Sequence, residues 1–492
     1  MFLGIDIGTG SSKAVLVDSE GTVLDQATIA HEMSMPHPGW AEFDAESVWW
    51  EETCRLSRRL LDGRDASALQ GVCVSGMGPS LVVTDADFRP LRPAILYGID
   101  TRAHREITEL NAEFGSGELY QLGGKMLSSQ SVGPKLRWLA RNEPEVFSSA
   151  THWFGLNSFI VARLTGEYIQ DHHSASQSDP LYDLQANAWS RDHYAAVAGH
   201  LEVPRLAWPL DVVGQVHRRA AELTGIPAGT PVCAGTIDAW AEAFSAGARR
   251  PGDTMLMYGS TFFFVQNLHD YRSHELLWTT TGVEKDSLCI AGGMSTSGSL
   301  TTWMKRLFGD PSFEDLVAEA SAAAPGANGL IVLPYFAGER TPIFDPDARG
   351  TITGLTLSHS RGDLFRATYE GVAYGVRQIL SFMGEAAEET SRLVAVGGGT
   401  QARLWLQIVS DVTGREQSLP AQAIGASFGD AHMAAIGTGA VPPETDWAVI
   451  GETIEPDPRT AEVYGELFEV YDGLYPATRA AMHSLAAVQR RS

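Results

Sequence analysis

A short turn near the start of the chain has the composition of a phosphate-binding loop. Apolar runs over residues 3–7 and 14–17 have the length of strands. Backbone N–H groups in a glycine-rich turn bind anionic oxygens, and Asp6 stands where a magnesium ion carried by the phosphate would need a carboxylate. An ordinary glycine-rich hairpin is the alternative. The residues of the turn are Gly8, Thr9, Gly10, Ser11, Ser12 and Lys13.

Two commoner nucleotide-binding motifs do not fit this turn. A P-loop requires Gly-Lys-Ser/Thr, whereas Lys13 stands between Ser12 and Ala14. A dinucleotide fingerprint requires a third glycine that opens a helix, but Lys13 holds that place and the next residues read as a strand. The sequence therefore predicts a turn between two strands.

Two more glycine-rich turns occur in the second half of the chain. Gly259, Ser260 and Thr261 separate predicted strands over residues 254–258 and 262–266, so a hydroxyl-bearing turn between strands occurs twice. Residues 397–399 are a triple glycine between a predicted strand at 393–396 and a helix marked by Trp405 and later apolar residues. A strand, a triple glycine and a helix let the backbone approach a ligand closely. A tight connection without a ligand is the alternative.

Asp238 is the candidate acid–base residue. It follows an apolar strand and begins a helix-compatible segment. Backbone donors and the positive end of the helix dipole favour an ionised carboxylate in a first turn, and a general base must be ionised at neutral pH. A simple helix cap is the alternative. We favour the base because Asp238 lies beside a candidate hinge at 248–253, where a cleft between two phosphate-binding turns would close.

Other residues could bind a small polar substrate. Asp100 and Arg102 could offer an acceptor and a forked donor to a polyhydroxylated ligand, with a surface ion pair as the alternative. Met77, in a loop after a strand, could wall the same pocket or simply fill the core. The adjacent His172 and His173 would point to opposite sides of an extended chain, so we expect no metal there.

The order of predicted elements indicates a mixed α/β protein. Three strands form an antiparallel meander, a helix covers residues 45–61, and a strand covers 69–74. Helices and strands then alternate, and a comparable pattern begins again after Arg249. Apolar residues at helical spacing over 463–474 predict a C-terminal docking helix. Two similar domains facing a cleft is the economical interpretation.

Composition narrows the function classes. The 492 residues carry a formal net charge of −24, which argues against a nonspecific nucleic-acid or anionic-membrane surface. Four dispersed cysteines predict free thiols in a reducing compartment. The first residues lack a basic segment, and no apolar run approaches the roughly 20 residues that cross a bilayer. We expect a cytoplasmic protein without a nucleic-acid or membrane partner.

These motifs resemble the FGGY family of carbohydrate kinases, and most of all its xylulose-phosphorylating members. Residues 350–371, GTITGLTLSHSRGDLFRATYEG, fit the family's C-terminal signature, and LPYFAGERTPIFDPDARG precedes them. The similarity extends over nearly the full length. It implies two actin-like ATPase domains with a ribonuclease H-like fold, facing a central cleft. An N-terminal domain at 1–247 would hold the sugar and the base, and a C-terminal domain at 248–492 would hold the nucleotide.

The resemblance also implies roles for individual residues. Asp238 corresponds to the catalytic base of ATP-dependent transfer to a sugar hydroxyl, and Asp6 and Asp238 correspond to ligands of Mg²⁺. The sugar would be the small-molecule partner, and homodimerisation stays open. The residues implied to bind the sugar are Met77, Gly78, Asp100, Arg102 and Asp238. The residues implied to bind ATP are Gly8, Thr9, Gly10, Ser11, Ser12, Lys13, Gly259, Ser260, Thr261, Gly298, Gly398, Gly399 and Gln401.

The sugar-binding motifs depart from the family pattern. Where the xylulose-phosphorylating members have Gln-Met-His-Gly, residues 76–79 read Gly-Met-Gly-Pro. Where they have Trp-Asn-Asp, a variable residue and Arg, Asp100 and Arg102 keep the Asp and the Arg, but the Asn is lost. A buried polar group without its partner costs about 1–3 kcal/mol, so a pocket lacking these donors favours a less hydroxylated or differently configured substrate. Another ketose, a deoxy sugar or a polyol therefore stays open. An actin-like or Hsp70-like ATPase switch and a sugar-sensing pseudokinase are the alternatives to a kinase.

Overall fold

The computed structural model describes residues 1–387, 389–422 and 424–490. These residues form two compact units. The first unit contains Met1–Gly247, Thr279–Cys289 and Ile424–Trp447, and the second contains the remaining described residues. Because two later segments pack with the first unit, a division into two continuous domains at residue 247 stays a prediction.

The elements are numbered in chain order. The strands are β1 (Phe2–Ile7), β2 (Ser11–Val17), β3 (Val23–Ala30), β4 (Glu42–Phe43), β5 (Gly71–Gly76), β6 (Val82–Thr84), β7 (Ala94–Ile95), β8 (His152–Phe154), β9 (Ile169–Asp171), β10 (Tyr182–Asp183), β11 (Ala188–Trp189), β12 (Arg205–Ala207), β13 (Val212–Gln215), β14 (Pro231–Cys233), β15 (Thr236–Ile237), β16 (Asp253–Tyr258), β17 (Phe262–Leu268), β18 (Trp278–Thr281), β19 (Leu288–Met294), β20 (Ile331–Leu333), β21 (Thr351–Thr353), β22 (Arg392–Val396), β23 (Gln417–Pro420) and β24 (Ile450–Ile454). The α-helices are α1 (Glu51–Leu61), α2 (His104–Phe114), α3 (Ser116–Gly123), α4 (Val132–Asn142), α5 (Pro144–Ser149), α6 (Leu156–Thr165), α7 (His172–Ser176), α8 (Arg191–Ala198), α9 (Arg218–Thr224), α10 (Asp238–Ser245), α11 (Gly298–Leu307), α12 (Phe313–Ala322), α13 (Arg361–Ala386), α14 (Arg403–Thr413), α15 (Ala426–Gly437) and α16 (Ala461–Gln489).

A mixed sheet with the strand order β13–β14–β5–β1–β2–β3 is the centre of the first unit, and β15 also pairs with β5. Strand β1 is antiparallel to β2 and parallel to β5. Both β1 and β5 are buried along their whole length, as expected for strands covered on both faces. Helix α15 lies very close to β1, since a Cβ on Gly4 would stand 1.9 Å from the carbonyl oxygen of Ser427.

The sheet of the second unit repeats this pattern. Its strands follow the order β19–β17–β16–β22–β23–β24. Strand β16 is antiparallel to β17 and parallel to β22, β22 is parallel to β23, and β23 is antiparallel to β24. The first unit has the same sequence of pairings over β2, β1, β5, β14 and β13. One architecture therefore occurs twice in the chain.

The predicted elements around the three turns are confirmed. Each of the first two turns joins two antiparallel strands, β1 to β2 and β16 to β17. The triple glycine follows β22 and precedes α14, whose buried face includes Trp405 and Ile408. The predicted C-terminal helix is α16, which runs far beyond residue 474. The strand predicted at 69–74 is shifted to β5, because residues 69 and 70 follow a 3₁₀ turn at Ala66–Ala68.

Candidate functional site

Hydrogen bonds among buried side chains fix the backbone of the first turn, residues 8–13. Its backbone closes with a hydrogen bond of 3.0 Å from Gly8 N to Ser11 O. His31 contacts the carbonyl oxygen of Gly8 through Nε2 and the carboxylate of Glu52 through Nδ1, each at 2.9 Å. Ser12 donates its hydroxyl to the same carboxylate at 2.6 Å. The turn therefore has a fixed backbone on which an anion could rest.

One predicted phosphate donor needs correction. Ser12 is fully buried and its hydroxyl hydrogen is used by Glu52, so the side chain supports the turn and has no hydrogen left for a phosphate. Lys13 is exposed and Ser11 is half-buried. The hydroxyl of Thr9 lies 3.0 Å from that of Tyr97. Thr9, Ser11 and Lys13 thus remain the side chains of the turn that could meet a ligand.

A cluster of carboxylates lies at the end of β1 and the start of α10. Asp238 is the first residue of α10, and its Oδ1 accepts a hydrogen bond of 2.8 Å from Ala239 N. Glu242 follows one turn later, so the two side chains share a helix face. Asp6, at the end of β1, is buried and interacts electrostatically with both, and Lys13 is the cation that partly offsets this charge.

Burial and mutual repulsion raise the pKa values of this cluster. Burial raises the pKa of Asp6 well above its ordinary value, and repulsion by Asp238 and Glu242 adds to the shift. Burial also raises the pKa of Asp238, while the Ala239 N–H lowers it. Glu242 has a pKa raised to about 7 by burial and by Asp238. The donor at the helix start favours the ionised form of Asp238, as expected. Burial outweighs this single donor and raises the net pKa to about 6, which is still below neutral pH.

Two further polar residues complete the cluster, and the sequence analysis missed both. Ser75, in β5, lies with its Oγ 3.5 Å from Asp6 Oδ1. Asp430, in α15, is fully buried, and burial raises its pKa well above the ordinary value. Neither residue belongs to a recognisable motif, since one sits in a buried strand and the other in a mostly apolar helix.

The predicted sugar-binding pair Asp100 and Arg102 is built differently from expectation. Their side chains are fully buried and form an ion pair of 2.7 Å. Asp100 also accepts from Ala41 N at 2.7 Å, and the Arg102 guanidinium contacts Glu42 at 2.8 Å and lies 4.0 Å from the ring centre of Trp40. Their polar groups already bond to each other and to neighbouring residues of the protein. The prediction that they contact the sugar directly is therefore corrected: the pair supports the loop that carries Tyr97.

Met77 and Gly78 line a cavity of only about 10 Å³. Met77 is buried in the core of the first unit. A Cβ on Gly78 would stand 2.6 Å from the Ile237 side chain, and Ile237 immediately precedes Asp238. Position 78 is therefore packed directly beside the residue before the candidate base.

The two adjacent histidines have separate partners. They begin the short helix α7 and do not lie on extended chain as expected. His172 Nδ1 contacts the hydroxyl of Tyr182, and His173 Nδ1 donates to the carbonyl oxygen of Thr281, each at 2.7 Å. Among the residues that the structure describes, no group of three or more His, Cys, Asp or Glu side chains is arranged to hold a metal ion.

The second unit contains a cavity of about 960 Å³. Six of the residues predicted to bind the nucleotide line it together, although they come from three separate segments. Thr261 does not line this cavity, so its assignment stays a prediction. The six residues are Gly259, Ser260, Gly298, Gly398, Gly399 and Gln401.

Close backbone packing explains the glycines of this cavity. The N–H of Gly298 donates to Gly259 O at 2.9 Å, and a Cβ on Gly298 would stand 2.7 Å from that oxygen. A Cβ on Gly399 would stand 2.8 Å from Tyr258 and 2.9 Å from Trp405. A side chain at either position would clash with these neighbours and separate the segments that line the cavity, so the close packing requires glycine.

Other residues of the cavity were not predicted from the sequence. Phe313, Glu314 and Val317 come from α12, and Tyr369 comes from α13. Tyr369 stacks on Trp405, with ring centres 4.9 Å apart and planes at 23°. The amphipathic pattern of α12 does not distinguish a cavity wall from an ordinary helix face. Only the folded structure shows that these residues line the cavity.

Comparison with known proteins decides the family. Residues 1–245 match the N-terminal domain, and residues 255–438 the C-terminal domain, of the FGGY family of carbohydrate kinases. The chain belongs to this family. This FGGY carbohydrate kinase is thus an enzyme of α/β fold with two actin-like ATPase domains, as its sequence predicts. Sugar kinases of the family use ATP as the phosphate donor.

Similar proteins cover the FGGY kinase almost completely. The xylulose kinase of Staphylococcus xylosus is 26% identical over 96% of this chain and 99% of its own length. The glycerol kinase of Nocardia farcinica is 29% identical over 88% of this chain and 89% of its own length. The crystal structure of xylulose kinase from Rhodospirillum rubrum is 35% identical, with a TM-score of 0.91 over 98% of this chain and 99% of that chain. Within the described residues, every helix is too short or too polar to cross a bilayer.

Proposed function

We propose that this FGGY kinase transfers the γ-phosphate of ATP to a hydroxyl of a small sugar, and that D-xylulose, converted to D-xylulose 5-phosphate, is the first substrate to test. The names of the Staphylococcus xylosus and Rhodospirillum rubrum proteins support this choice. The Nocardia farcinica glycerol kinase, at similar identity, shows that a related chain can bear another substrate's name. Another ketose, a deoxy sugar or a polyol is therefore the second choice.

The position of Asp238 carries the proposal. Its carboxylate takes the proton from the sugar hydroxyl while the hydroxyl oxygen attacks the γ-phosphorus and the bond to the leaving ADP breaks. The raised pKa makes this carboxylate a better proton acceptor than an ordinary aspartate once it is ionised. Its place as the first residue of α10 fixes the direction of the side chain, and positioning supplies much of the rate in phosphoryl transfer.

The two glycine turns bind the phosphates in this proposal. In the first unit, the N–H groups and the side chains of Thr9, Ser11 and Lys13 meet phosphate oxygens. In the second unit, the cavity of about 960 Å³ takes the adenosine, since its size is in the range of ligand pockets. Thr261 belongs to the phosphate-binding set only by its place in the motif.

Two carboxylates of the acidic cluster, those of Asp6 and Asp238, suit a magnesium ion that is shared with substrate phosphates. Asp6 and Asp238 are carboxylates whose repulsion is offset among their neighbours only by Lys13, and Mg²⁺ is commonly held by one or two carboxylates together with substrate phosphates. Asp6 and Asp238 would hold the ion, which when bound neutralises charge on the transferring phosphate.

The surroundings of Gly78 bear on the choice of sugar. A histidine at this position, as in the xylulose-phosphorylating pattern, would meet Ile237, because even a Cβ would stand 2.6 Å from that side chain. Position 78 therefore lacks the imidazole of the xylulose-phosphorylating pattern. A sugar hydroxyl that would bond to that imidazole loses its partner here, and a buried hydroxyl without a partner costs about 1–3 kcal/mol.

The test is ADP release with Mg-ATP over a panel of ketopentoses, aldopentoses, deoxy sugars, tetritols and glycerol. We expect turnover that requires one of these acceptors and a loss of at least about a hundredfold in Asp238→Asn, the scale of general base catalysis. Asp192→Asn, on the exposed start of α8, is the matched control and should keep full activity. Near-normal transfer by Asp238→Asn would disprove the assignment of the base, and ADP release independent of any acceptor would disprove the kinase reaction proposed here.

A further inference from the structure

A second cavity in the first unit shares no residue with the sites described above. It has a volume of about 310 Å³ and is lined by Arg89, Arg163, Arg219 and His217, with Trp50 and Phe88 among its apolar residues. The chain as a whole carries a net charge of −24. The cavity lining holds three guanidinium groups and one carboxylate, that of Asp87, so positive charge is in excess around this cavity.

Arg163 is the fixed cation of this cavity. Its two terminal nitrogens pair with the two oxygens of Glu46 at 2.5 and 2.9 Å. Its guanidinium carbon also lies 4.8 Å from the ring centre of Trp50. A guanidinium held by an ion pair and an aromatic face loses little further freedom when a ligand binds.

Arg89 and Arg219 are the cations left for a ligand. Arg219 has no hydrogen-bond or ion-pair partner among the residues that the structure describes, and Arg89 has one exposed contact, to Asp87 at 3.5 Å. The backbone N–H of Arg89 donates to Asp85 Oδ1 at 2.9 Å. This bond fixes the backbone of Arg89, while its guanidinium has, within the described chain, only the long, exposed contact with Asp87.

His217 adds a neutral donor. Its Nδ1 accepts a hydrogen bond of 3.1 Å from Ala220 N. A nitrogen that accepts from an N–H carries no proton of its own, so the ring proton must lie on Nε2. That Nε2–H is the remaining donor of the side chain, and His217 lines the cavity.

We propose that this cavity binds a small organic phosphate. A guanidinium group matches a phosphate by geometry and charge, and Arg219 and the exposed Arg89 offer two. Trp50, Phe88 and Leu223 offer apolar surface to the carbon part. Of the two acidic neighbours, Glu46 is paired with Arg163, and Asp87 is exposed and reaches Arg89 only at 3.5 Å. In the part of the chain that the structure describes, the guanidinium of Arg219 is therefore the unpaired positive charge of this cavity. The volume is at the lower end of small-molecule pockets, so the ligand is a single phosphorylated metabolite and not a polymer.

The test is calorimetric binding of ribose 5-phosphate to the full chain without ATP, with ribose and inorganic phosphate as comparison probes. We expect ribose 5-phosphate to bind more tightly than either. The double variant R89A/R219A should weaken this binding at least tenfold, because it removes the two guanidinium groups proposed to bind the phosphate. The matched control is Arg218→Ala, which removes an exposed arginine next in sequence that does not line the cavity, and it should change affinity less than twofold.

Three results would overturn the inference: no binding of ribose 5-phosphate to the wild type, equal affinity of wild type and R89A/R219A, or equal binding of inorganic phosphate. Because the site of phosphate transfer could also retain a sugar phosphate, only the part of the binding that R89A/R219A removes counts for this cavity. The experiment involves no turnover, so its outcome is independent of the proposed kinase reaction. The thermal unfolding curve of R89A/R219A shows whether the exposed substitutions leave the fold intact.

Discussion

The hydroxyl of Ser75 lies 2.7 Å from Oδ2 of Asp430. The two residues are 355 positions apart in the sequence, in β5 and α15. Asp430 is buried, and burial together with repulsion from Asp6 raises its pKa. A protonated Asp430 can donate to Ser75 Oγ, which leaves the Ser75 hydrogen for Asp6 at 3.5 Å.

Asp430→Asn should therefore fold normally and remove one source of pH dependence. An aspartate with a raised native pKa is protonated in the folded chain and ionised in the unfolded chain between the two pKa values. Its contribution to stability is complete below the unfolded value of about 3.9 and declines as pH rises towards the folded value. Denaturant unfolding from pH 4 to 8 should show a smaller loss of stability for Asp430→Asn than for the wild type. An identical pH dependence would contradict the protonated state.

Gly298→Ala should weaken nucleotide binding without unfolding the chain. The added Cβ would stand 2.7 Å from the carbonyl oxygen of Gly259 and force the two cavity segments apart. We expect the KM for ATP to rise about tenfold or more, consistent with a displacement of about 1 Å in a binding site. The control is Gly465→Ala on α16, where a Cβ meets open space. An unchanged KM for ATP would show that this wall does not contact the nucleotide.

Glu242→Gln should shift the acid limb of the pH–rate profile to lower pH. Glu242 adds to the raised pKa of Asp6, and Glu242 and Asp238 repel each other. Removing one negative charge lets the remaining carboxylates ionise at lower pH, so the base is active sooner as pH rises. The profile of kcat/KM reports this change, with Glu222→Gln on the exposed face of α9 as the control. A shift in the opposite direction would exclude this electrostatic coupling.

Lys135→Met should stabilise the fold at neutral and acid pH. Lys135, in α4, is fully buried, and its Nζ has no hydrogen-bond partner in the described residues. Burial lowers its pKa to about 7. A lowered native pKa means that wild-type stability rises with pH from about 7 towards the unfolded value of about 10.4. The gain from Met, measured by chemical unfolding at pH 6 and pH 9, should be larger at pH 6; a larger gain at pH 9 would reverse the argument.

Local chemistry in the sequence was enough to place the turns and the start of α10. Glycine and hydroxyl residues between apolar runs define each turn, and Asp238 was correctly assigned to the first turn of a helix. The burial of individual side chains could not be predicted from the sequence. It decides the raised pKa of Asp238, the pairing of Asp100 with Arg102, and the use of Ser12 by Glu52.

Long-range pairing accounts for the other residues that were missed. Ser75 and Asp430 meet only because α15 packs on the sheet that contains β1 and β5. Similarly, Phe313 and Tyr369 face one cavity because α12 and α13 belong to the second unit. No spacing within a short segment encodes either meeting, so no motif search could have found them.

The contact between Gly4 and α15 also dictates an order of events during synthesis. A chain that emerges from the ribosome N-terminus first makes β1 long before α15. The central strand of the first unit must wait for more than 420 further residues before the helix that covers it exists. A fragment ending at residue 247 would leave that face of β1 open to water or to other chains, so the first unit completes its fold only after α15 has been made.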